Sequence, residues 1–245
     1  MTGGFKRWRR TAIDIGVIAS FLFAISFLPP DSSRAERDKV GNLRFCVANA
    51  SDPLVAAPDG YEYALMQAVA KDLGLRLQLV EVANMGRSYN PRDWDIGRGQ
   101  CDVLGGGLAD SPVNNSFMAM LPNGGEVGLV RSGDPAPLQK GAEVGVFMGS
   151  AGLDRLQLSR WLRAEGLRAK PIATIAELQA WVSAGKPAIF PNQLRLSPEV
   201  EYHQLPDAAA KHYALAFGVW RGDVTLGRDI RAALQKTLAT YRNAT

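Results

Sequence analysis

The sequence predicts an α/β protein of two lobes, each a parallel-type sheet flanked by helices. Three observations carry that expectation. Strand and helix signals alternate along almost all of the 245 residues, the order that builds parallel sheets through right-handed crossovers. Apolar runs empty into small-residue loops, most clearly at Gly99-Gln100-Cys101-Asp102-Val103-Leu104-Gly105-Gly106-Gly107. A passage rich in proline and glycine, Ser132-Gly133-Asp134-Pro135-Ala136-Pro137, separates two such series.

Residues 1–35 stand apart from the folding unit. Lys6, Arg7, Arg9 and Arg10 precede an apolar run from Ile15 to Leu28, and Ser33-Arg34-Ala35 places small residues at both cleavage-site positions. The run, of about 14 residues, falls short of the roughly 20 that span a bilayer. It reads as an export signal cut after Ala35, with an uncleaved anchor as the lesser alternative and a twin-arginine signal as a minor one. The remaining stretch divides into a first part of lobe 1 (36–131), lobe 2 (132–212), and a return to lobe 1 ending in the C-terminal helix (213–245).

In chain order, Leu43 to Val47 reads as a strand, and Ser51 to Gly60 as a loop with turn chemistry. Tyr61, Leu65, Ala68, Val69 and Leu73 recur at helical spacing until Gly74. Leu75 to Val82 alternates as a strand does, Asn84 to Arg98 is polar and irregular, and Val103 to Gly105 is a third strand. Val127 to Val130 and Glu143 to Phe147 are strands. Leu153 to Leu167 and Ile172 to Ala184 are helices, Ala188 to Phe190 a short strand, and Tyr213 to Trp220 a longer one. Asp223 to Tyr241 closes the chain as an amphipathic helix with Leu226, Ile230, Leu234 and Leu238 on one face.

Charge narrows the partners. The chain holds 28 basic and 24 acidic residues; removing the five and two within 1–35 leaves 23 and 22, close to balance. The high isoelectric point of about 9.2 therefore belongs to the leader, and the scattered basic residues give no nucleic-acid footprint. Cys46 and Cys101 both follow the leader. An even count in an oxidising compartment favours a bridge, and neighbouring parallel strands would bring the two side by side; two buried free thiols are the alternative. Neither cysteine has the CxxC or His context of a metal site. His203 and His212 give no metal pattern either, and no nucleophile elbow, P-loop or dinucleotide fingerprint is present. The expectation is a binding protein with no catalytic residue, metal or cofactor, with an enzyme as the contrasting class.

Loops at strand ends supply the candidate ligand residues, because open α/β sheets bind at the carboxyl ends of their strands. Gly106, Gly107, Ser111 and Asn114 form one edge, Gly149 and Ser150 a turn before a helix, and Asn192 a third loop. Asp52 either faces a ligand or caps its turn. Tyr61 either stacks on a ligand or packs at its helix start. Arg87 reads as a solvated loop residue that could supply a positive charge, and Trp94, Trp161 and Trp181 as core.

Taken together, Gly60-Tyr61-Glu62 before Ala68-Val69-Ala70-Lys71-Asp72-Leu73-Gly74, Gly99-x-x-Asp102 before Gly107 and Ser111-Pro112, Gly145-Val146-x-x-Gly149-Ser150, and Arg221-Gly222-Asp223 resemble the bacterial extracellular solute-binding proteins, family 3, over nearly all of 42–242. The resemblance implies the type II periplasmic binding fold, a periplasmic location, a small-molecule solute and an ABC transporter permease as partner, with the membrane reached only through the signal or the partner. Two departures stand out. Where amino-acid binders carry an arginine for the α-carboxylate this chain has Asn114, and where they carry an aspartate for the α-ammonium it has Asn192. Asparagine replaces neither the charge nor the fork of that arginine, so a polar solute other than a standard α-amino acid is expected. The cysteine pair is also similar to that of a branch associated with periplasmic quinoprotein (methanol or alcohol) dehydrogenases, which makes an accessory role beside such an enzyme the alternative.

Overall fold

The computed structural model describes residues 15–20, 23, 31–86, 88, 90–134, 136–149, 151–194, 196 and 200–244, the last four of these as backbone only. Lys6, Arg7, Arg9 and Arg10 of the leader, part of its apolar run, Arg87, Pro135 and Ser150 lie outside the described residues. No helix among the described residues is long and apolar enough to cross a membrane.

The first lobe holds a five-stranded sheet in the order β2-β1-β3-β10-β4. Its strands are β1 (Asn42–Val47), β2 (Arg76–Glu81), β3 (Val103–Leu104), β4 (Ala119–Val127) and β10 (Tyr213–Val219). β1 runs parallel to both β2 and β3, whereas β10 is antiparallel to β3 and β4. Each sheet is thus mixed rather than wholly parallel, because the strand returning from the other lobe enters from the opposite end. The period of two along β1 sends Leu43, Phe45 and Val47 into a core with helices α2 (Tyr61–Asp72) and α6 (Val224–Ala244). Cys46 faces the other side, with Trp94, Leu104, Met118 and Trp220.

Cys46 and Cys101 are joined as a disulfide across 55 positions of chain, with Cα atoms 5.7 Å apart. Closing a loop of that length stabilises by about 4 kcal/mol on the chain-entropy account. Next to it Asp102 accepts from the Arg44 backbone N–H at 2.8 Å and from Arg44 Nη2 at 2.7 Å, tying the start of β3 to β1.

Helix α1 (Ser33–Val40) packs on α6. Ahead of it Asp31 accepts from Thr225 N at 2.9 Å, at the first turn of α6. Ser33, buried, bonds Thr225 Oγ1 and accepts from Leu226 N, and Arg34 donates to Leu73 O. Burial pushes the Asp31 carboxyl up, but the bonds from Ser33 and Thr225 outweigh it and hold the group well below the usual carboxylate range. Asp31 to Arg34, on the leader side of the expected cut after Ala35, are therefore integrated into lobe 1.

The second lobe holds the sheet β7-β6-β8-β5-β9. Its strands are β5 (Leu129–Ser132), β6 (Glu143–Val146), β7 (Arg168–Pro171), β8 (Ala188–Pro191) and β9 (Tyr202–Gln204). β6 is parallel to β7 and β8, and β5 is antiparallel to β8 and β9. Helix α4 (Arg155–Ala164) covers one face through Leu158 and Leu162, and α5 (Ile175–Ser183) the other through Leu178 and Trp181.

The expected strand at 127–130 is two strands in two sheets, broken at Gly128. The chain crosses there, and not in the 132–137 passage, so β5 lies in lobe 2 although its first residues fall before the expected boundary at 131. Space fixes the position: a Cβ on Gly128 would overlap the ring of His212, which stands just before the return strand β10. The two crossings touch, and beneath them one apolar cluster joins Ala109, Val127 and Leu215 of the first lobe to Leu129, Val144, Leu153 and Leu158 of the second.

Candidate functional site

A cleft of about 680 Å³ opens between the lobes at the carboxyl ends of their parallel strands. Lobe 1 contributes Ala48, Asn49 and Asp52 after β1, Met85 and Gly86 after β2, and Gly106 after β3. Lobe 2 contributes Phe147, Met148 and Gly149 after β6, the segment from Pro171 to Ile175 after β7, and the first two turns of α4.

Asp52 and Arg155 are the charged side chains lining the cleft among the described residues, one from each lobe. Asp52 accepts from Leu54 N at 2.9 Å, and burial pushes its carboxyl pKa up. Arg155 is the first residue of α4, after Asp154, whose carboxylate caps the helix by accepting from Leu156 N and Gln157 N. The half-buried guanidinium donates to Gly86 O across the cleft at 3.1 Å, and burial lowers its pKa. Helix α5 starts on the same wall: Thr174 Oγ1 accepts from Glu177 N and the Glu177 carboxylate from Ala173 N, a reciprocal cap.

Beside the open cleft the lobes are clasped directly. Asn114, fully buried, donates through Nδ2 to Ala109 O at 2.9 Å and to Ala151 O of lobe 2 at 3.2 Å. Ser111 Oγ, which also caps α3 (Pro112–Phe117), donates to Gly152 O at 3.0 Å, and Ala109 N donates to Ala151 O at 2.8 Å. Two carbonyls facing Nδ2 fix the orientation of the amide and leave Asn114 Oδ1 buried with no hydrogen-bond partner among the described residues. Gly152 permits the contact, because its φ of +71° is in the left-handed region and a Cβ there would overlap the Asn114 amide.

The glycine edge is not a row of bare donors awaiting a ligand. Glu62, the second residue of α2 and wholly buried, accepts through Oε2 from Gly106 N at 2.6 Å and Gly107 N at 3.3 Å, and through Oε1 from Asn123 Nδ2 at 3.1 Å. Both glycines hold φ of +85°, which turns their N–H groups toward that one carboxylate. Burial, with the nearby Asp52 charge, pushes the Glu62 carboxyl up to about 7 against the lowering effect of its hydrogen bonds.

Of the expected ligand residues, Asp52, Gly106 and Gly149 line the cleft. Gly107 is held by Glu62, and Ser111 and Asn114 belong to the clasp. Tyr61 donates through its hydroxyl to Asn123 O at 2.6 Å, and Asn192 pairs with Gly128 at the crossover through Oδ1 and its backbone N–H. The sequence reading missed Glu62, Met85, Phe147, Arg155 and Thr174 as site residues. For Arg155 and Thr174 a signal existed, since Asp154 and Thr174-x-x-Glu177 are helix-start patterns.

No family model matches the chain, and no curated protein matches it. Solved structures do. An ancestral amino-acid-binding protein, a precursor of cyclohexadienyl dehydratase, superposes with a TM-score of 0.62 at 15% identity, covering 84% of this chain and 93% of its own. An amino acid ABC transporter substrate-binding protein from Streptococcus pneumoniae, bound to L-arginine, gives 0.63 at 14% identity, with 87% and 95% covered. A mutant of ArgBP from T. maritima gives 0.63 at 14%, with 86% and 95% covered. The chain has the two-lobed fold of these solute-binding proteins.

Proposed function

We propose that the protein is a periplasmic solute-binding protein that holds one small molecule between its lobes for an ABC transporter. The observation that carries this reading is the cleft itself, which sits where both sheets end their parallel strands and takes one charged side chain from each lobe. The L-arginine held by the S. pneumoniae structure of the same fold supports a small-molecule ligand. A standard α-amino acid is disfavoured, because Asn114 and Asn192 are engaged within the protein and offer no charge. The ligand residues in this proposal are Asp52, Gly106, Gly149 and Ser150 from the sequence reading, joined by Arg155.

Thermal denaturation of the purified protein against a solute library tests the reading, with mass spectrometry of whatever the denatured protein releases. One solute should raise the melting temperature in proportion to the logarithm of its excess over Kd. Neither a released molecule nor a stabilising solute would overturn it.

A second reading, an accessory protein of a periplasmic quinoprotein dehydrogenase, draws on the Cys46–Cys101 bridge and on the hydrogen bonds that join the lobes directly. It predicts co-purification with the dehydrogenase and no shift with any solute. For export, the contacts of Asp31, Ser33 and Arg34 with α6 and Leu73 favour an N-terminal segment that stays attached over a cut after Ala35. A mature N-terminus at Glu36, read from the intact mass of the exported protein, would reverse that preference.

A further inference from the structure

We infer that the cleft selects a small monocarboxylate with an apolar body, gripped by Arg155 from lobe 2; this rests on the solute-binding reading and specifies its ligand. Arginine carries five N–H donors in a planar fork suited to a carboxylate, and among the described residues Arg155 uses them for one hydrogen bond, to Gly86 O. No acidic side chain pairs with it among the described ion pairs. The nearest acid in sequence, Asp154, is turned onto the amides of its own helix.

The surroundings agree with an anion at that place. Arg155 and Thr174 set the amino ends of α4 and α5 on the same wall of the cleft; because the Asp154 and Glu177 carboxylates cap those ends and offset their dipoles, the positive charge offered there is that of the Arg155 guanidinium. Glu177, like Asp154, is occupied in a cap. Beside the neutral polar side chains of Asn49, Ser159 and Thr174, much of the rest of the wall is apolar: Met85, Phe147, Met148, Leu158, Ile172 and Ile175 line the space. A ligand that is charged all over would leave these side chains facing polar groups, whereas a hydrocarbon or aromatic body buries against them. Asp52, from lobe 1, adds a selection rule, since its negative charge disfavours a second carboxylate on the ligand.

Isothermal titration of the full chain with a panel of probes tests this: phenylacetate and hexanoate, their uncharged primary amides, the dicarboxylate succinate, and L-arginine. The carboxylates should bind about 10- to 100-fold more tightly than the matching amides, the step expected of a charge-assisted pair. Succinate should not compete. Arg155→Gln should weaken carboxylate binding by most of that 10- to 100-fold and amide binding much less, so that the gap between them closes, and Arg155→Lys should restore part of the difference. Comparable melting curves of the variants without ligand confirm that they fold, and the carboxylate–amide comparison on the unaltered chain stands without any variant. Amides binding as tightly as carboxylates, or Arg155→Gln leaving carboxylate binding intact, would overturn the inference while the solute-binding reading stands. Binding of L-arginine alone would do the same. No binding by any probe, with no molecule released on denaturation, would overturn both.

Discussion

The interface between the lobes has two halves that share strand ends and loop compositions but do opposite things. In one, Ala109, Ser111 and Asn114 are bonded to Ala151 and Gly152, and the lobes meet with no room for a solute. In the other, Asn49, Asp52 and Met85 face Phe147, Arg155 and Thr174 across about 680 Å³. The difference lies in what satisfies the polar groups. The clasp matches the donors of one lobe to the carbonyls of the other, whereas in the cleft most of the guanidinium fork of Arg155 has no protein partner among the described residues. A buried donor that finds its acceptor in the facing lobe makes a joint; one that does not makes a binding site.

The largest way to break this contrast is at Gly152. Gly152→Val combines a β-branched residue at φ +71° with overlap of the Asn114 amide, and should cost about 4 kcal/mol. The lobes should separate, read as a lower denaturation midpoint together with a larger radius of gyration in small-angle scattering. An unchanged radius with an unchanged midpoint would mean that the clasp does not hold the lobes.

Asn114→Asp is the next largest. It keeps the shape but sets a buried carboxylate against the carbonyls of Ala109 and Ala151, with an expected loss of about 3 kcal/mol at neutral pH. A carboxyl in that place takes up its proton at a pH above its unfolded value. The loss should therefore shrink as pH falls, because the protonated group can donate to one of the two carbonyls again. A deficit independent of pH would show that packing, and not the donors, makes the joint.

Glu62 sits between the halves, and its titration sharpens the contrast without any new contact. Its folded pKa of about 7 lies above the ordinary glutamate value of 4.5, so the native state holds more protons between those values. Its contribution to stability is then greatest at low pH, declines as pH rises from about 4.5 to 7, and is flat beyond; the span is on the order of 1–3 kcal/mol. Asp52, also raised, acts with the same sign. The informative measurement is thus the difference between the unaltered protein and Glu62→Gln, compared by urea denaturation at pH 5 and pH 7.5. Identical pH slopes would remove Glu62 from the account.

How far this contrast was legible in the sequence follows from how each part is made. Interior strands were legible: Leu43, Phe45 and Val47 take every second position on β1, with buried Cys46 on the opposite face, and Ala188 to Phe190 is wholly apolar because β8 is covered on both faces. Three edge strands were not. β4 contains Pro122 and a pair of glycines, tolerable because only β10 lies beside it, β7 is exposed throughout, and β9 is three residues long. The glycine edge was found, but Glu62 as its occupant was not, since a carboxylate on a helix and amides more than forty residues later are joined only by the packing of α2 on β3. Asn114 was singled out for the charge it lacks, and its role as a donor to Ala151 depends on how lobe 2 closes, which no local pattern encodes.

The smallest expected effect completes the comparison. Because Arg155 makes, among the described residues, a single hydrogen bond, to Gly86 O, Arg155→Gln without ligand should change stability by no more than about 1 kcal/mol. The radius of gyration should stay fixed, unlike that of Gly152→Val. A loss as large as that of Asn114→Asp would make Arg155 a second clasp. The two halves of the interface would then differ only in degree, and the carboxylate-binding fork would have to be sought elsewhere in the cleft.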